Sequence, residues 1–420
     1  MAKNKTSNSS STDDIFSQLL SQYNAKEPGS AVMGDEMESE ITHWIDSGSV
    51  ILNMILSNKS DGGWPCGRIV HVYGPEGIGK STLAYKAIAN CQKEGGICIY
   101  ADLEHAANKK FMSMIGVDLT KIIWTDIDAV EDLFDVFESN LTLLANDKRF
   151  QDKPKLIIID SNAALMTKQE LEGNMEFNMN TSLGKAKALH KVLRKISKPL
   201  CKANVCLFVI DQIKDNTSGY GPKYNISGGR ALPFWSSIRV LLDGKTQIKK
   251  KDPKIENDYQ DAIAKWKAAG GNKSGLVKPE KPDVDEAVVG VEVTALTAKN
   301  KTAPPLRTGE FRIIFAEGLD DAECFLDYLE KYGVVKKNGS WYAWDSGQID
   351  YEMNNFQRSD WLDRLSDYEL YEKVKNFIVD KMTVKIKDGQ VIQDNTTEEE
   401  KEKIRLMQQK DKEQVSLEEE

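Results

Sequence analysis

The sequence predicts an α/β protein, with a mostly parallel sheet carrying helices on both faces and a smaller segment after it. Three observations lead there. Runs rich in Ile, Val and Leu alternate with helical stretches from about residue 67 to 244. The first run leads directly into a glycine-rich loop, "GPEGIGKSTL" (74–83), that opens a helix. Beyond "TGEFRIIFAEG" (308–318) the apolar period becomes that of amphipathic helices. Near-continuous apolar runs mark strands buried on both faces, which only a sheet covered on both sides provides.

Taken in order, residues 1–12 are rich in Ser, Asn and Thr and predict disorder. "DDIFSQLLSQYNA" (13–25) sets Ile15, Leu19, Leu20 and Tyr23 on one face of a short helix, with acids at its start. Such a helix either folds back on its own core or packs on a neighbouring subunit; residues 1–45 are read as a leader and N-terminal helix. The predicted strands are "RIVHVY" (68–73), "GICIYADLE" (96–104), "PKLIIIDS" (154–161), "NVCLFVIDQI" (204–213) and "SIRVLLDG" (237–244). They define a core over 46–316, with a lysine-rich insertion at about 245–284. Residues 317–382 read as a small C-terminal α+β domain, and 383–420 as a charged acidic tail expected to be mobile.

A length of 420 residues allows two to three domains. No apolar run is long enough to span a membrane, and the N-terminus lacks a signal-peptide stretch. The expectation is therefore a cytoplasmic protein with no membrane partner. The six cysteines include no C-x-x-C pair and read as reduced, buried side chains. Net charge is −9, but charge is segregated, with ten lysines against five acids in 245–281 and ten acids against five bases in 394–420. Global charge therefore does not exclude a nucleic-acid partner.

The loop fits G-x-x-x-x-G-K-[ST], with Gly74, Gly79, Lys80 and Ser81 at the fixed positions. Amides across Gly74, Glu76, Gly77, Gly79 and Thr82, with the following helix N-terminus, form a cradle for the polyphosphate of ATP. Lys80 neutralises charge and the Ser81 hydroxyl holds Mg²⁺. Asp160 closes "LIIID" at a strand end, where it would hold magnesium through water. Glu104 ends another predicted strand and either polarises the attacking water or caps the next helix. Gln212 ends "FVIDQ", with a neutral amide suited to sensing a γ-phosphate.

These elements in this order resemble the RecA recombinase family. The similarity rests on "GRIVHVYGPEGIGKSTLA", "YADLEHAANKKFMSMIGVD", "LIIIDSNAALMTKQELEG", "FVIDQI", "SGGRALPFWSSIRVLLD", "TALTAKNKTAPP" and "GEFRIIFAEG", and spans roughly residues 34–345. The resemblance implies a P-loop, RecA-like ATPase core with Glu104 as the catalytic glutamate and Gln212 linking γ-phosphate to a DNA loop. It implies Phe111 as the aromatic stacking on adenine, and Lys299 and Lys301 as a pair reaching a neighbouring subunit's ATP. From local sequence alone, the same lysines read as solvated groups ahead of a Pro-Pro turn.

The resemblance also implies two loops for single-stranded DNA, 171–184 and 214–229. The charge of Lys187, Arg194 and Lys214 would assist them, and Gly228 and Gly229 would admit phosphates close to the backbone. Without the resemblance these loops read equally as polar surface. Asp211 and Arg230 stand where bacterial members usually carry Asn, which puts a negative charge beside the presumed γ-phosphate. The insertion is absent from typical bacterial members. Such departures resemble phage-type recombinases of the UvsX kind, whose compartment would be the host cytoplasm.

The resulting expectation is a DNA-dependent ATPase forming a homo-oligomeric helical filament on single-stranded DNA. It would pair that strand with homologous duplex DNA, exchange strands in repair, and work with single-strand-binding and loader proteins. Two alternatives are a hexameric helicase on the same core and a nucleotide-gated coating protein without strand exchange. The helicase reading is weakened by lysines where such motors carry an arginine finger, and the coating-protein reading by Glu104.

Overall fold

Every predicted apolar run becomes a strand of one large sheet in the computed structural model. The structure describes residues 10–26, 41–172, 180–215, 224–226, 229–250, 253–271, 276–280, 286–315, 317–387 and 390–415. The sheet strands are β1 (Ile69–Gly74), β2 (Ile97–Asp102), β3 (Ile122–Thr125), β4 (Lys155–Asp160), β5 (Val205–Asp215), β6 (Tyr224–Ile226), β7 (Ile238–Lys250), β8 (Ala287–Asn300), β9 (Thr308–Ile314) and β10 (Gly318–Asp320). Their spatial order is β10-β9-β8-β7-β1-β5-β4-β2-β3, with β6 paired to β5. The strands from β7 to β3 in that order run parallel, and β8, β9 and β10 extend the sheet antiparallel.

The chain divides into residues 1–42 and 43–420. In the first unit, helix α1 (Ser10–Lys26) begins within the stretch expected to be disordered, because Ser10–Asp14 continue its first turn. Its Ile15, Phe16, Leu19 and Tyr23 are exposed.

In the second unit, the period-2 alternation of strands sorts side chains to two faces. Val70, Val72, Ile158, Phe208 and Val240 join one buried cluster with α2 (Val50–Ser57) and α3 (Lys80–Lys93). Ile69, Ile157, Leu207 and Val209 join a second with α4 (Val130–Asn146) and α5 (Asn180–Lys202). Helix α2 is apolar nearly all round because it is enclosed; it is capped by the Ser49 side chain, which accepts from the Leu52 N–H at 3.2 Å.

The lysine-rich insertion departs from expectation. The strand predicted to end at residue 244 runs on to Lys250 and pairs with β8, so the insertion lengthens a hairpin that carries α6 (Pro253–Ala268). Strand β3 carries no long apolar run and was not foreseen. Helix α7 (Asp321–Lys331), a small sheet of Val335–Asn338, Trp341–Trp344 and Phe356–Gln357, and α8 (Tyr368–Met382) follow. Phe325, Leu329, Val374 and Ile378 of these helices, with Trp361 of the short helix Trp361–Leu365 before α8, belong to the same buried cluster as α2.

The tail expected to be mobile is structured over its described residues. It forms a hairpin of Lys385–Lys387 and Gln390–Gln393, then α9 (Glu398–Val415). Ile404 and Met407 share one face of α9 and pack on Tyr73, Leu241 and Leu296, which outweighs the charge of the other face. Asp411, one turn on, accepts from the Tyr73 hydroxyl and pairs with Arg239 at 3.1 Å. Among the cysteines none is paired; all are buried except Cys201, which is exposed on α5 and corrects its reading as a core thiol.

Candidate nucleotide site and nucleic-acid interface

The site forms where the parallel strands end. Strand β1 delivers Gly74, and the loop turns through Gly77 and Gly79, with φ of 67° and 99°, before α3 starts at Lys80. Positive φ is what glycine supplies at no steric cost and lets successive amides face one concavity. A Cβ on Gly74 would meet the Leu242 carbonyl oxygen at 2.5 Å, so β7 holds the loop's first residue closely. Lys80 is buried and donates to the carbonyls of Gly74 at 2.9 Å and Pro75 at 2.7 Å. Burial pulls its ammonium below the ordinary lysine range, and nearby Asp160 and Glu104 oppose that shift.

Asp160 ends β4 as the sequence indicates. It accepts from Tyr100 Oη at 2.8 Å and from the Ser81 side chain. Burial pushes its carboxyl up, against those hydrogen bonds. The Ser81–Asp160 pairing fits Mg²⁺, which takes one or two protein oxygens and completes its shell with water and phosphate.

Glu104 does not end its strand. Strand β2 stops at Asp102, whose carboxylate accepts from the Ala106 and Ala107 N–H groups, and Glu104 lies exposed on the bend between. The Leu103 N–H donates to the Asp160 carbonyl at 2.8 Å, which ties the ends of β2 and β4 together. Glu104 Oε1 accepts from Ser161 Oγ and from Gln212 Nε2, the latter at 2.7 Å. Gln212 lies inside β5 rather than at its end, in register with Gly74 across the β1–β5 ladder. The carboxylate, the amide and the phosphate loop are therefore adjacent.

Phe111 lies on the short helix Lys109–Met114, capped by the Asn108 side chain, and meets the Tyr85 ring edge-on at 6.3 Å. Thr82 is buried in the first turn of α3. Lys299 and Lys301 are not brought to this chain's own loop. Lys299 lies opposite Arg239 in the β7–β8 ladder, and Arg239 is level with His71 on adjacent β1, three residues before Gly74. Its ammonium donates to the carbonyls of Pro233 at 2.8 Å and Phe234 at 2.9 Å. Burial, then repulsion from Lys301, lowers it to about 8.

The two expected DNA loops, with Gly228, fall largely outside the described residues, and of Lys214 only the backbone, in β5, is described. Gly229 has a φ of 63° and Arg230 precedes the short helix Ala231–Trp235. Lys187 and Arg194 are exposed on α5. Lys191, also exposed, lies between them at helical spacing and was missed, although the i, i+4, i+7 pattern was legible. Ser161, Tyr100 and Asn162 were missed as well, since their partners are distant in sequence.

Comparison with known proteins agrees with this geometry. The family model described as the RecA N-terminal domain matches residues 16–278. The chain is 32% identical over 333 residues to Protein RecA of Sulfurimonas denitrificans, covering 79% of this chain and 83% of that one. It is 33% identical over 331 residues to Protein RecA of Chlamydia felis, covering 78% and 81%. It is 31% identical over 358 residues to Protein RecA of Helicobacter hepaticus, covering 85% and 86%. A phosphate loop in register with Gln212, and similarity across most of both chains, place this protein in the RecA family.

Proposed function

We propose that the protein is a DNA-dependent ATPase that assembles on single-stranded DNA as a helical filament, pairs it with homologous duplex and promotes strand exchange. The observation that carries this reading is the Gln212–Glu104 contact of 2.7 Å, because Gln212 lies on the strand that runs into segment 214–229. A group on that strand can report γ-phosphate to a DNA-binding segment, and DNA to the hydrolytic carboxylate.

When bound, ATP with Mg²⁺ supplies the transferable phosphoryl group and the charge that joins subunits. Lys80 would exchange its loop carbonyls for phosphate oxygens, and Ser81 and Asp160 would hold the metal. Phe111 would stack on adenine, and Glu104 would orient and deprotonate the attacking water. Lys299 and Lys301, remote from their own loop, would serve the neighbour's nucleotide. Lys187, Lys191, Arg194, Lys214, Gly228, Gly229 and Arg230 would contact the DNA backbone.

Electron microscopy with single-stranded DNA and a slowly hydrolysed ATP analogue tests the assembly, and joint-molecule formation with homologous duplex tests the exchange. Helical filaments with joint molecules support the proposal. Closed rings would favour a helicase, and filaments without joint molecules a coating protein.

A further inference from the structure

Asp211 reads in the sequence as a negative charge beside the phosphates. In the sheet its side chain turns to Asn162 and His71, while its charge still acts on Lys80 of the loop. Alternation along β5 sends Gln212 toward Glu104 and Asp211 to the opposite face, where it is wholly buried. Its Oδ2 accepts from Asn162 Nδ2 at 2.9 Å and lies 3.5 Å from His71 Nε2, while its Oδ1 accepts the Gln212 N–H at 3.0 Å. Asn162 directly follows Ser161, the hydroxyl on Glu104, and Asp160, the proposed metal ligand. The Lys185 ammonium holds the same turn, donating to the carbonyls of Asn162 at 2.7 Å and Ala163 at 3.2 Å.

A fully buried carboxylate is costly unless its oxygens are satisfied. Asp211 meets that condition through the next N–H of its own strand and through Asn162 beyond the end of β4, which makes it a staple from β5 to that turn. His71 lies beside the set, with its Nε2 making no hydrogen bond to the described residues. It stacks on Tyr73 with ring centroids 4.8 Å apart, and its Nδ1 lies 3.5 Å from Arg239 Nε, whose guanidinium engages Asp411 of α9. Burial, outweighing the attraction of Asp211, holds His71 below its ordinary value.

We propose that Asp211 is a positioning residue for ATP hydrolysis, fixing the Ser161–Asn162 turn against the Gln212 strand so that both converge on one oxygen of Glu104. The groups that meet Glu104 lie 57 and 108 residues from it in sequence, so their convergence depends on the strand ends being locked together. Asp211 bonds to Asn162, the residue after Ser161, and to the backbone N–H of Gln212 itself. The proposal rests on the reading of the site as a DNA-stimulated ATPase.

The test compares full-length wild type with Asp211→Ala and Asp211→Asn, at a temperature where circular dichroism finds all three folded. An asparagine keeps one oxygen to accept from Asn162 Nδ2 and gives up only the local bond to the Gln212 N–H; alanine gives up both. Asp211→Ala should lower kcat for ATP with long single-stranded DNA by roughly tenfold or more, with KM for ATP within about twofold, as misplacement without lost binding does. Asp211→Asn should recover most of that loss. Hydrogen exchange should quicken at residues 160–164 and 211–213 in Asp211→Ala, and stay near wild type in Asp211→Asn. Unchanged kcat in Asp211→Ala overturns the proposal, and so does an equal loss in both variants, which would assign the effect to the charge or the local Gln212 bond and not to the tie to Asn162. Wild type that hydrolyses no ATP with DNA would instead overturn the functional reading, and this inference with it.

Discussion

Gln212 Nε2 lies 2.7 Å from Glu104 Oε1, and the Ser161 hydroxyl donates to the same oxygen. The Glu104 carboxylate is thus held by two donors, one of them on the strand that runs into segment 214–229.

Glu104→Gln should keep this geometry, since an amide oxygen can still accept both donors, while removing the base. Binding of ATP and single-stranded DNA should stay near wild type, and turnover should fall by about 10²-fold or more. Steady-state hydrolysis beside a nucleotide-binding titration checks it; near-normal turnover would reduce Glu104 to a surface residue on the bend.

Lys299 and Lys301 lie away from their own phosphate loop, so their effect should appear only between subunits. Substituting both by Ala should leave nucleotide binding by isolated subunits nearly intact and abolish DNA-stimulated hydrolysis. Mixing this variant with Lys80→Ala subunits should restore partial activity, because some junctions then join an intact loop to an intact lysine pair. A mixture that co-assembles on DNA yet stays inactive would refute the trans assignment.

Asp411 anchors α9 to buried Arg239, and Met407 is buried beside it. Fully burying such an apolar side chain contributes roughly 1.5–3 kcal/mol, so α9 is held firmly but not irreversibly. Asp411→Ala should speed hydrogen exchange across 398–411 and free the tail's carboxylates. If those acids compete with duplex phosphates for basic surface, duplex affinity should then change at low salt and converge with wild type as salt rises. Unaltered exchange would show that the apolar contacts alone hold the helix.

The sequence by itself determined the phosphate loop, the main strands and the positions of Lys80, Ser81 and Asp160 at the loop and a strand end. Those features are local: fixed spacing, apolar runs and a residue at a strand end. Only the tertiary structure decided which distant groups meet. It set Glu104 on a bend beyond its strand, brought Ser161 and Gln212 to one of its oxygens, and turned Asp211 toward Asn162 and His71. It also docked α9, whose sequence reads as a solvated charged tail because Ile404, Met407 and Asp411 make sense only against Tyr73, Leu241 and Arg239. Strand order is the physical reason. A parallel sheet built by crossovers places β1 between β5 and β7, so neighbours at its edge come from segments far apart in the chain, and no local pattern encodes that adjacency.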